Sequence, residues 1–404
     1  MRIYLSGNTI SLLGDWMQQT TQSWVVWQLS HSATALGIVA AFSQLPFFIL
    51  GPWVGVISDR YDRRKILLIT QFLIMSFAFI FAILIETHVL RLWHVYVLAF
   101  LLGVVSAFDV TTEQAFIGDI AGDGNISKAI AVNNSLTQLT RLVGPALAGY
   151  LIAQIGVATS FWINGITIII CIACIWQVRS ARTSSPSKGD GIQQFKEGWQ
   201  FFIHHHLLRL IMIFAAVQAF FGLSIIQLLP AVASVELKGN ADTLGRLLGA
   251  AGAGALIGII VILPFVQRIK RPCLAIGGAL VWSGIWYVLF SFTHSLWLAM
   301  ACQCMSSLGA ANVVTLSFGL SQELTPPNMR ARIESVFLMI IFGLQPVASY
   351  LVGAGADRFG LKSIMRINGI LMIVIPALLI ALTKLRHVKR AEEPAFKKAH
   401  PVGF

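Results

Sequence analysis

Apolar runs of about twenty residues recur along this chain, each closed by a short cluster of glycine, proline, amide or charged side chains. The runs are continuous rather than alternating, which predicts α-helices long enough to cross a bilayer; the strands of a membrane barrel would alternate over about ten residues. Twelve runs can be marked, at 3–29, 35–57, 66–85, 92–112, 131–153, 158–178, 208–230, 244–266, 273–292, 296–318, 333–355 and 363–383. The first begins almost at Met1 and holds an acid and several glutamines with no small-residue cleavage site, so it is expected to be a spanning helix and not a secretory signal.

Composition agrees with the pattern. The chain has 404 residues, 56% of them hydrophobic and 11% charged, with a mean hydropathy of +0.77, whereas a soluble domain carries about 25% charged residues. Its solvent is lipid.

The basic residues set the orientation, because positively charged short loops stay in the cytoplasm. With the N-terminus inside, twenty-two Lys and Arg fall on the inner side and six on the outer, with Arg141 left inside the fifth run. Both termini are therefore expected in the cytoplasm of a bacterial-type inner membrane. The net charge of +12 has the same origin and does not predict nucleic-acid binding.

The chain also repeats. At a shift of 204 residues, "IGVATSFWINGITIII" (155–170) lies over "FGLKSIMRINGILMIV" (359–374), matching Gly156 to Gly360 and "INGI" to "INGI". At a shift of 208, residues 36–64 lie over 244–272, with Arg60 on Arg268 and Arg63 on Arg271. The expected architecture is an all-α membrane protein of two pseudo-symmetric six-helix bundles, 1–178 and 208–384. They are joined by a cytoplasmic segment, 179–207, that holds an amphipathic helix, and followed by a cytoplasmic tail, 385–404. Parallel halves of this kind build transporters that rock around a central substrate site.

Between the second and third runs, "GVISDRYDRRKILL" packs Asp59, Arg60, Asp62, Arg63, Arg64 and Lys65 into seven positions. The stretch resembles the signature of the major facilitator superfamily, Gly-x-Leu-x-Asp-Arg-x-Gly-Arg-Arg/Lys, at Gly55, Asp59, Arg60, Arg63 and Arg64, and departs from it at Asp62. The resemblance implies a cytoplasmic gate at those five residues; the alternative is a turn that only fixes topology. Further along, "AFDVTTEQAF" (107–116) and "KAIAVNNSLTQLTRLVGPALAGYLIAQIG" (128–156) are similar to the branch that includes the bacterial enterobactin exporter and the transmembrane secretion effectors. That branch has Arg where this chain has Glu113 and Pro where it has Thr111.

Charge inside the runs marks further candidates, since an ionisable residue in lipid is expensive and usually faces a cavity or a partner. Asp15 is a candidate for proton coupling; alternatively it is held ionised by a partner such as Arg141 and only orients helices. Arg141 stands one turn before Gly144, Pro145 and Gly149, whose pattern resembles the helix-five motif associated with antiporters. Gln18, Gln22, Gln44, Asn134, Gln138, Gln218, Gln227 and Asn312, with Trp16, Trp24 and Trp27, are candidates for a substrate cavity suited to a bulky organic solute. Each of them alone also reads as a helix-to-helix hydrogen bond.

The chain has no phosphate-binding loop and no nucleophile, base and orienter set, so no ATP drive and no enzyme activity are expected. No metal or other cofactor is expected. The expected partners are a small-molecule substrate, protons and the bilayer, with the chain a monomer. The function this implies is proton-coupled export of a siderophore, drug or secondary metabolite by alternating access. Import, translocation of a lipid-like solute and a non-transporting sensor or assembly role stay open.

Overall fold

The computed structural model describes residues 1–121, 126–178, 191–266, 271–326 and 329–382; the segment 179–190 and the tail from 383 lie outside the described residues. Nearly all of the described chain is helix, and it contains no strand. In chain order the helices are α1 (Arg2–Ser30), α2 (Ala33–Arg60), α3 (Arg63–Glu86), α4 (Leu92–Ala121), α5 (Ile126–Gln154), α6 (Ala158–Gln177) and α7 (Gly191–His204). Then come α8 (His206–Glu236) and α9 (Ala241–Phe265), followed by α10 (Pro272–Phe290), α11 (Leu296–Glu323), α12 (Arg330–Phe359) and α13 (Leu361–Leu382).

Ten of these helices are long and apolar enough to cross a membrane. Helices α1 and α5 are as long, 29 residues each, but carry the polar side chains that make them chemically interesting. With these two the long helices are consistent with the twelve runs that the pattern predicts. The short α7, with 14 residues, is the amphipathic helix of the central polar segment.

Local chemistry explains where the helices turn. Ser32 caps α2 by accepting from the Ala35 amide at 3.2 Å, and Asp62 caps α3 by accepting from the Arg64 amide at 2.9 Å. Just beyond the ends of α5 and α12 stand Gly156 and Gly360, with φ of 113° and 88°, a region closed to most L side chains. These are the two glycines that the 204-residue repeat superposes. The repeated asparagines also behave alike, since Asn164 and Asn368 are both buried on the inner faces of α6 and α13. Regularity breaks in α8 and α9, which hold π-helical turns at Gln218–Leu223, Val232–Glu236 and Gly258–Ile262.

Contacts gather the chain into two compact units, Met1–Lys188 with Leu229–Gly252, and Gly189–Leu228 with Ala253–Phe404. In the first unit α1 packs on α5 and α6, α2 on α4, and α3 on α4 and α6. Its core joins Tyr4, Leu67, Phe116, Ile117, Cys171 and Ile175. In the second, α10 packs on α11 and α13, and α12 on α7 and on the π turn of α8. Leu208, Met212, Ala219, Ile333, Phe337 and Ile341 form its core, against which Phe201 and Phe202 of α7 lie. Many large apolar side chains, Trp176, Trp297 and Leu298 among them, stand exposed on the outside, as a lipid-facing surface requires.

Candidate functional site

Helix α1 carries Tyr4, Asn8, Ser11, Asp15, Gln18 and Gln22 at alternating spacings of four and three, which places all six on one face. Asp15 is half-buried and the other five are buried. Asn164 of α6 donates its amide to Asp15 Oδ1 at 3.1 Å and to Gln18 Oε1 at 2.9 Å. Gly14 lets α6 approach this closely, because a Cβ there would stand 2.3 Å from Asn164 Oδ1 and 2.4 Å from Thr167 Oγ1.

Asp15 and Arg141 do not pair. The Arg141 guanidinium lies over the Trp16 ring, 5.2 Å from its centroid. Successive helical side chains point about 100° apart, so Asp15 faces α6 while Trp16 faces α5. Gly144 makes room for that tryptophan, since a Cβ on it would stand 2.6 Å from Trp16 Cβ. Arg141 is exposed although it sits at the middle of α5.

Two further carboxyl groups stand one turn apart on α4, and sequence reasoning did not single them out as site residues. Asp109 is buried and accepts from Thr70 Oγ1 at 2.5 Å and from Gln71 Nε2 at 3.2 and 3.1 Å. Glu113 is half-buried and accepts from Asn8 Nδ2 at 2.7 Å and from Asn133 Nδ2 at 3.2 Å, and Asn8 also donates to Asn133 Oδ1 at 3.1 Å. The signal available in the sequence was the polar face of α1, whose spacing points Asn8, Ser11 and Asp15 toward the same interior.

The helix-five glycines serve close packing. A Cβ on Gly149 would meet the Ala241 carbonyl oxygen at 2.7 Å, and one on Gly245 would meet the Pro145 carbonyl oxygen at 2.7 Å. Gly252 lies as close to Leu142, at 2.7 Å from its Cα. Together they seat the 241–252 part of α9 along α5 with almost no side chain between, the geometry that small residues permit in lipid.

The charged turn ties the first unit together. Arg63 donates to both oxygens of Asp119 at 2.8 and 2.9 Å, joining the start of α3 to the end of α4. Arg64 donates from Nε to the Ile175 carbonyl at 3.2 Å and from its NH2 group to the Trp176 carbonyl, capping the end of α6. Asp62, where the superfamily signature has glycine, is the cap of α3. Arg60 is exposed at the end of α2. Gly55 and Asp59 lie within α2 and Asn134 within α5, but the surroundings of Gly55 and the side chains of the other two lie outside what is described.

Of the remaining cavity candidates, Gln44, Gln138 and Gln227 are half-buried, whereas Gln22, Gln218 and Asn312 are buried. Asn312 donates to the Leu308 carbonyl of its own helix at 2.8 Å. Among the described residues no three His, Cys, Asp or Glu side chains converge on a point where a metal ion could sit.

With this geometry in view, comparison with known proteins places the chain. The family model described as transmembrane secretion effector matches residues 1–402. The staphyloferrin A transporter of Staphylococcus aureus is 24% identical over 380 residues, covering 93% of this chain and 94% of that one. Macrolide efflux protein A of Streptococcus pyogenes is 22% identical over 393 residues, covering 94% and 95%. Among solved structures, a bacterial homologue of the human lysosomal transporter Spinster, in an inward-facing and unoccupied conformation, superposes with a TM-score of 0.73 at 14% identity over 98% of this chain and 96% of that one. The chain is a multi-pass membrane transporter and not an enzyme, and it belongs to the transmembrane secretion effector family of the major facilitator superfamily.

Proposed function

We propose that this protein exports a small organic solute across the bacterial inner membrane, driven by protons moving inward, with both termini in the cytoplasm and the chain acting as a monomer. The observation that carries the reading is the set of interior carboxyl groups with no cation paired to them among the described residues: Asp15, Asp109 and Glu113 are held by amides and a hydroxyl, and the guanidinium of Arg141, the charge inside α5, stacks on Trp16 instead. A carboxyl group so placed changes its charge by taking or releasing a proton, which is the event a coupled carrier needs. Relatives named for staphyloferrin A transport and macrolide efflux support an outward direction and a siderophore- or drug-sized solute. Two six-helix halves, read from the repeat, supply the parts that alternate.

Within this reading Arg141 and Trp16 form the wall on which a planar or anionic solute rests. The half-buried Gln138 and Gln44 of the same unit contribute polar lining. Asp59 and Arg60 form the cytoplasmic gate, while Arg63 and Arg64 brace the unit that carries it.

The test compares small molecules inside and outside cells lacking the protein, expressing it, or expressing Asp15→Asn at matched membrane levels. A compound that accumulates outside only with the intact protein identifies the substrate, and its loss in Asp15→Asn supports coupling. Accumulation inside would instead support import, and no change at all would sink the transport reading for solutes of this class.

A further inference from the structure

The three carboxyl groups are not isolated from one another. Asp109 and Asp15 both lie within electrostatic reach of Glu113. Asp109 and Glu113 are one turn apart on α4, about 6 Å along its axis, and Asn8, which holds Glu113, sits two turns before Asp15 on the polar face of α1. Between Asn8 and Asp15 on that face is Ser11, 2% exposed, whose hydroxyl has no hydrogen-bond partner among the described residues. Beside Asp109, the Oε1 atom of Gln71, a residue 7% exposed, is likewise unpartnered while its Nε2 holds the carboxyl group. These two buried polar atoms, one on the residue that holds Asp109 and one on the α1 face between Asn8 and Asp15, lack partners among the described residues inside a bundle that lies in lipid, where bound water satisfies such atoms.

Resting on the proton-coupled reading above, we infer that Glu113 is a second proton-carrying group, joined to Asp15 and Asp109 by water held at Ser11 and Gln71. In each step a carboxyl group passes its proton to the bridging water, and that water passes one of its own protons to the next carboxylate. The donor is left as a carboxylate, the acceptor becomes a carboxylic acid and the water is regenerated. Asp15 receives the proton at mid-membrane, and the half-buried Glu113, toward the end of α4 expected to face the cytoplasm, releases it.

The groups facing Glu113 permit this. From α1 they are Tyr4, Asn8 and Asp15; from α3, Thr70 and Gln71, through Asp109; from α5, Asn133; and from α6, Cys171, which lies within reach of the same carboxyl groups. On α2, Ser58 is engaged with Thr112 at 3.1 Å. The side chains of Asp59 and Lys128 are outside the described residues. Arg141 of α5 stacks on Trp16. The family's arginine at position 113 would place a fixed charge where this chain has a group that can load and unload.

The experiment uses the full chain and the compound identified above, with export followed against external pH, with and without a protonophore, in the intact protein, Glu113→Gln and Glu113→Asp. Glutamine keeps the oxygen that Asn8 and Asn133 bond, so the helices stay tied while the proton site is lost. The expected result is that the protonophore stops export, that Glu113→Gln lowers its rate by about tenfold or more and flattens its pH profile, and that Glu113→Asp restores much of both. If the protonophore stops export but Glu113→Gln keeps the intact rate and profile, the relay is wrong and coupling stands. If export survives the protonophore, coupling and relay fall together. Infrared difference spectra of the purified protein between acid and alkaline pH give an answer without substrate. Glu113→Gln should remove one carboxyl C=O band and shift the titration of those remaining, and an unchanged spectrum overturns the relay.

Discussion

Gly149 of α5 and Gly245 of α9 meet backbone to backbone: a Cβ built on either would stand 2.9 Å from the other's Cα. Valine at either position must push the helices apart. Gly149→Val and Gly245→Val are each expected to destabilise the purified protein by about 1–3 kcal/mol, the usual range for overpacking, and to abolish export. Thermal unfolding in detergent followed by tryptophan fluorescence measures the first effect, and unchanged melting would show that the seam tolerates separation.

Arg63 and Asp119 form a two-pronged pair with side chains 16% and 9% exposed. Removing one partner leaves the other charge poorly solvated, so Asp119→Asn or Arg63→Gln alone should cost about 3 kcal/mol. The double variant should cost clearly less than the sum, and a double-mutant cycle on denaturation midpoints reads the coupling directly.

Asp62 stands where the superfamily signature has glycine, and it caps α3. Asp62→Ala is expected to lower stability by about 1 kcal/mol, while Asp62→Gly lowers it by only a few tenths. Equal losses in the two variants would mean that the aspartate acts by some means other than the cap.

Arg141 rests on Trp16 and forms no ion pair among the described residues. Lysine keeps the charge but loses the flat stacking face, so Arg141→Lys should fold normally and yet export with a higher apparent KM. Trp16→Leu should reproduce that change, and an unaltered KM in both would exclude this pair from the substrate path.

Helix α7 is held to α12 by the ion pair of Glu197 with Arg332 and by Gly198, where a Cβ would stand 2.9 Å from the Arg332 carbonyl oxygen. Gly198→Leu should detach α7, seen as faster proteolysis around Trp199 and a red shift of its fluorescence. Glu197→Ala alone, which removes a half-exposed pair, should weaken docking by about 1 kcal/mol or less.

Helix positions were readable from the chain because lipid offers no partner to an unpaired backbone, so each crossing must be one long apolar helix. The repeat was readable for a related reason: Gly156 and Gly360 both take a positive φ just beyond the ends of α5 and α12, where glycine is the least strained residue. The carboxyl groups of α4 were harder to see. Asp109 and Glu113 stand among ordinary helix-forming residues, and what marks them is the identity of their neighbours on α1, α3 and α5, which spacing along α4 does not carry.

The amino-acid order alone thus carried the solvent, the helical crossings and the turns, since each follows from local hydrophobicity or from the conformational freedom of single residues. Packing settled which polar groups meet. Helical periodicity orients a side chain about its own axis, but the partner depends on which helix lies opposite and how near it comes. A rotation of one residue therefore gave Asp15 to Asn164 and Trp16 to Arg141, two neighbours in the chain turned toward different helices by the close approach that Gly14 and Gly144 allow.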